Sequence, residues 1–149
     1  EAPCAPEDIV ALARVAAECG LPVAAGEEWH SVHEARMRLP RAQLAIVQPE
    51  MGHTGVSQFL AIAALARECG ARVVPHATIG VGIFLAASLQ VASTLDHCPM
   101  HEYQPSVFDR NVEHVDTTMA CAAGLYRLPQ GAGLGVEPRA SLDRYRLPD

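Results

Sequence analysis

Residues 11–27, ALARVAAECGLPVAAGE, and residues 61–76, AIAALARECGARVVPH, are two versions of one plan. Each opens with a helical pattern bearing one apolar face, stops at Glu-Cys-Gly, and turns within two or three residues. It then enters a short apolar segment ending in a polar side chain. A strand covered by helices on both faces shows no polar alternation, and parallel strands need helical crossovers. The repeat therefore predicts βα units on a parallel sheet.

Four such units can be read forward. Strands are expected over residues 21–27, 42–50, 71–76 and 99–104, and helices over 6–19, 31–39, 55–69 and 82–95. Pro6 with Glu7 and Asp8 suits a first helical turn, Ser31 to Glu34 has the S-x-x-E form of a capping box, and Gly20 and Gly70 are natural stops.

Polarity is concentrated at the strand ends. Glu1, Glu27, Glu50, His76 and Glu102 close successive units at intervals of 26, 23, 26 and 26 residues. Right-handed crossovers bring all these ends to one face, where βα enzymes carry their chemistry. A lone histidine ending a strand is ordinarily structural. Four carboxylates beside it change the reading, because clustered like charges cost free energy unless a cation or proton is held among them. For Glu28 and His30, just beyond Glu27, loop solvation and substrate contact are both open. Gln48, on the strand that ends in Glu50, joins them as a candidate substrate contact.

Composition narrows the chemistry. Half of the 149 residues are hydrophobic and 19% are charged, which suits one compact unit. The formal charge of -6 and eleven scattered basic residues leave no footprint for nucleic acid. All eleven are Arg, so acids and bases within this chain must be His, Glu, Asp, Cys or Tyr. The five cysteines are an odd number without a CxxC pair, so neither a zinc ribbon nor a disulfide framework is expected and a cytoplasmic setting is. No apolar run approaches the roughly 18 residues of a membrane span, so no membrane partner is expected.

Taken in order, EAP at the start, AAGEEW, VQPEMGHTGVSQF, VVPHATIGVGIFLAASL, MHEYQ and LPQGAGLGVE resemble the C-terminal half of the barrel in the enolase superfamily. The branch is that of mandelate racemase, muconate lactonizing enzyme and the acid-sugar dehydratases. The resemblance implies an α/β fold: four βα units forming the C-terminal half of a TIM-type barrel over residues 1–125. It further implies an extended tail over 126–149 that packs on a capping domain outside this chain. It also implies Mg²⁺ ligands at Glu1 and Glu27, a general acid/base at His76 oriented by Glu50, and a substrate-binding carboxyl at Glu102. The family usually has Asp where Glu50 stands. The first barrel strands, a lysine motif, a third metal carboxylate and the capping domain would precede Glu1. The chain is thus expected either to be part of a longer polypeptide or to complete its sheet with another chain, and a homo-oligomer is expected.

The implied activity is Mg²⁺-dependent abstraction of the proton α to a carboxylate through an enediolate. Its expected outcome is dehydration of an acid sugar, an aldonate or aldarate, to a 2-keto-3-deoxy acid. A racemase, epimerase or cycloisomerase of the same branch shares the first step, and a non-catalytic half-barrel is the reading from another class.

Overall fold

A computed structural model of the chain describes residues 1–77 and 80–147. Three βα repeats lie where the pattern predicts them. Helix α1 (Ile9–Glu18) is capped by Asp8, whose carboxylate accepts the Ala11 amide at 2.9 Å. Helix α2 (Val32–Ala42) is capped by Ser31, and Glu34 reaches back to accept the amide of His30 at 2.7 Å. Strands β1 (Ala24–Ala25), β2 (Ile46–Val47) and β3 (Arg72–Val73) pair in parallel in that order, with Ala24 opposite Ile46 and Ile46 opposite Arg72.

The regular ladders are only two residues long, and between β2 and β3 Pro49 lacks the amide that would extend the pairing. Single bonds carry the pairing further. The amide of His76 donates to the carbonyl of Pro49 at 3.3 Å, and that of Glu102 to Pro75 at 3.2 Å. Each strand-end residue is thereby hung from the residue just before its neighbour, which sets their side chains abreast. Residues 99–104, expected as the fourth strand, form no ladder among the described residues; Glu102 is held by that bond instead.

Helix α3 (Met51–Glu68) begins four residues earlier than expected. Glu50 explains the difference: its carbonyl accepts the amides of His53 and Thr54, and its carboxylate accepts that of Gly52, closing a separate turn over 51–54. The turn breaks at Gly55, whose φ of 60° and ψ of 174° are incompatible with helix, before the helix proper continues. Beyond the break Phe59, Ile62, Ala63 and Ala66 enter the main core with Leu12, Trp29, Leu39, Val47 and Val73.

Helix α4 (Ile83–Ala92) is apolar all round because it is buried on two sides. Ala87 and Val91 join the main core, whereas Leu85, Ala86 and Leu89 meet a second cluster with Phe108 and Met119. Residues of the C-terminal region complete that cluster. After α5 (Pro105–Glu113) come β4 (Val115–Thr117), β5 (Ala120–Ala122), β6 (Leu125–Arg127) and β7 (Val136–Pro138). Strand β4 pairs antiparallel with β7, and β5 with β6. The β5–β6 hairpin turns through Ala123 and Gly124, both at positive φ, and crosses the expected boundary after residue 125. A 3₁₀ helix follows at Ala140–Tyr145. No helix among the described residues is long and apolar enough to cross a membrane.

Candidate active site

The residues closing the strand units converge. His76, with a side chain 19% exposed, has its Nδ1 2.6 Å from Oε2 of Glu50 and its Nε2 3.3 Å from Oε2 of Glu27 and 4.0 Å from Oε2 of Glu102. Glu50 is buried at 5% exposure. Since a carboxylate accepts and Glu50 is the close partner, the Nδ1 proton belongs to that bond, and Nε2 is the edge turned to the other carboxylates. The hydrogen bond from Glu50 is the largest influence on His76; with Glu27 and Glu102 it outweighs burial and raises the imidazole to about 9. Burial raises the Glu27 carboxyl above its usual value, and repulsion from Glu1, Glu28 and Glu102 adds to this while His76 opposes it.

Glu1, Glu27 and His76 bring one ligand atom each within 4.8 Å of one another. Two carboxylate oxygens at that spacing fit a hard divalent cation, with other positions left to water, substrate or further ligands. Glu1 is joined to the sheet next door through the Ala2 amide, which donates to Ala24 at 2.9 Å.

Glu102 is fixed at both ends. Its Oε2 accepts the Ala77 amide at 2.8 Å, while its carbonyl accepts His101 Nδ1–H at 2.9 Å and the Tyr126 hydroxyl at 3.0 Å. Ser88 of α4 lies 2.8 Å from His101 Nε2, so the second cluster reaches the site through the backbone of Glu102. Burial lowers the pKa of His101 and raises that of Tyr126, which suits both as neutral hydrogen-bonding partners.

The other candidate contacts separate. Glu28 is 3.9 Å from Arg38, which is also 3.9 Å from Glu34 and donates to the carbonyl of Pro6, so its charge is compensated at the rim. His30 stacks on His53. Gln48 is buried at 4% exposure and is not in the lining of the cleft. That cleft, of about 320 Å³, is lined by Glu27, Glu28, Glu50, Gly52, His53, His76 and Phe84. His53 and Phe84 were not expected: the one sits in the turn before Gly55, the other in an apolar run that reads as plain core. A larger hollow of about 580 Å³ lies elsewhere, between α4 and the β5–β6 hairpin, and holds none of the strand-end carboxylates.

The chain is similar to several named proteins. The D-galactarolactone cycloisomerase of Agrobacterium fabrum is 36% identical over all of this chain and 42% of its own length. The D-galactonate dehydratase of Ralstonia nicotianae is 32% identical over 92% of this chain and 37% of its own. A solved member of the enolase superfamily from Agrobacterium tumefaciens is 50% identical, covers 94% of this chain and 36% of that one, and superposes with a TM-score of 0.89. The chain thus spans well under half the length of these relatives. The profile described as enolase C-terminal domain-like matches residues 1–142, so the chain belongs to that family and its α/β fold is the C-terminal half of a TIM-type barrel.

Proposed function

We propose that the protein containing this chain removes the proton α to the carboxylate of an acid sugar, with Mg²⁺ bound, and eliminates a hydroxyl to leave a 2-keto-3-deoxy acid. The observation that supports this best is the His76 imidazole, held by Glu50 on one nitrogen and facing Glu27 and Glu102 with the other. Glu1 and Glu27 would hold the cation, which when bound supplies positive charge where the substrate becomes negative.

The remaining work belongs to this chain's side chains. His76, raised to about 9 by its carboxylate neighbours, must first give up its Nε2 proton; the neutral ring then takes the carbon-bound proton there while its Nδ1–H stays on Glu50, which favours the imidazolium being formed. The electron pair left on carbon expels the neighbouring hydroxyl. The imidazolium returns its proton to that departing oxygen, releasing water, and the enol tautomerises to the ketone. Glu102, set by the Ala77 amide, is placed to hydrogen-bond the substrate carboxyl as charge grows there. In a cycloisomerase the same proton abstraction precedes opening of a lactone with no water released. The cycloisomerase relative that aligns over the whole chain favours this as the second reading.

The test is to incubate the full-length protein and Mg²⁺ with aldonates, aldarates and aldarolactones and to follow products by mass spectrometry. Loss of one water supports dehydration. An isomer of unchanged mass from a lactone favours the second reading, and no turnover of any acid sugar removes both.

A further inference from the structure

His53 occupies a place that the strand-end charges do not require. It stands in the 51–54 turn ahead of the break at Gly55 and lines the same cleft as Glu27, Glu50 and His76. Its Nδ1 is 2.9 Å from the backbone carbonyl oxygen of Glu27. A carbonyl can only accept, so Nδ1 carries the proton.

The ring plane is fixed as well. His53 stacks on His30 with centroids 4.8 Å apart and planes 29° from parallel. The backbone of His30 is anchored, because its amide donates to Glu34 and its neighbour Trp29 is 1% exposed in the core. With Nδ1 committed and the ring stacked on His30, Nε2 is the polar edge of His53 that remains, and no bond to it is formed among the described residues. In the neutral ring that atom is an acceptor. Phe84, 44% exposed, gives the cleft an apolar wall on which the C–H face of a sugar chain can lie.

We propose that His53 is a specificity-determining residue whose Nε2 accepts a hydrogen bond from a substrate hydroxyl beyond the reacting carbons, with His30 holding the ring at the required angle. The proposal rests on the acid-sugar reading above and adds to it a recognised group, a neutral hydroxyl, and the atom that reads it.

Two substitutions separate recognition from support of the turn. In His53→Asn the amide nitrogen can replace Nδ1 on the Glu27 carbonyl but leaves nothing at the Nε2 position, whereas His53→Gln places its amide near Nε2 and gives up the Glu27 bond. In the full-length protein with Mg²⁺, kcat and KM are measured for the acid sugar that the parent turns over fastest and for analogues each lacking one distal hydroxyl. His53→Asn is expected to lower kcat/KM on the full substrate by about 10-fold, mainly through KM. On one deoxy analogue it should equal the parent, and His53→Gln should recover much of the loss on the full substrate. Equal losses on every analogue, or no loss on any, would overturn the proposal while leaving the acid-sugar reading in place. If the parent turns over no acid sugar, that reading falls and this inference falls with it.

Discussion

Glu50 grips two groups at once: Oε2 lies 2.6 Å from Nδ1 of His76, and Oε1 accepts the amide of Gly52 at 3.1 Å. The length of the Glu side chain lets one carboxylate reach both partners. Shortening it should therefore not be harmless. Glu50→Asp in the full-length protein is expected to lower kcat by about 10-fold or more, because one carboxylate on a shorter arm cannot satisfy both partners. Unchanged kcat would show that the second anchor carries no weight.

Replacing His76 by Asn removes the imidazole whose Nε2 would accept the proton. The variant is expected to keep its fold and Mg²⁺ affinity while kcat falls by at least about 10²-fold. Near-parental turnover would assign proton transfer to a residue outside this chain.

The ionisation of His76 gives a prediction with a definite sign. Its folded-state value of about 9 lies above the unfolded value of about 6.5, so its pairing stabilises the fold fully below pH 6.5 and is lost as pH rises through 9. Metal-free full-length protein should lose melting temperature over that window, and its His76 resonance should titrate near 9 by NMR. Mg²⁺ beside Glu27 opposes the positive ring and should move that midpoint down, as should Glu50→Gln. A midpoint that ignores both would dismiss the pairing as its cause.

Glu27 supplies a candidate cation ligand as well as charge facing His76. Glu27→Gln is expected to weaken Mg²⁺ binding by at least about 10²-fold, the upper range for losing even an outer partner of a metal site. Calorimetric titration of the full-length protein checks this, and parental affinity would remove Glu27 from the ligand set.

Gly82 tests the crowding where α4 begins. It starts α4 at a φ of 84°, and an added Cβ would stand 2.7 Å from the Asn111 carbonyl oxygen and from a Val115 methyl. Gly82→Ala should cost more than about 2 kcal/mol, combining a left-handed backbone with a backbone clash. Gly20→Ala shares the positive φ but meets open space, and should cost about 1 kcal/mol. Equal shifts in melting temperature would contradict the crowding around α4.

The parts of this molecule legible in the sequence are those with a local cause. The Glu-Cys-Gly stops and apolar stripes gave the helices, and the spacing of one ionisable residue per βα unit singled out Glu27, Glu50, His76 and Glu102 before any fold was known. What escaped depends on distant partners. Phe84 reads as core until Gly52 and Gly80 are folded against its ring, each too close to leave room for a Cβ of ordinary freedom. His101 and Tyr126 gain their place only when both reach the carbonyl of Glu102, 24 residues from Tyr126. The β5–β6 hairpin was hidden because its three-residue strands are too short for alternation to register.

The break at Gly55 separates the 51–54 turn, with its cleft-lining His53, from the helix that follows. The helix that follows is anchored by Phe59 and Ile62, so its register does not depend on which side chains the turn presents to the cleft. Diversifying position 53 while keeping Glu50, the buried Met51 and Thr54, Gly52 and Gly55 offers directed evolution a way to retune substrate choice without rebuilding the scaffold.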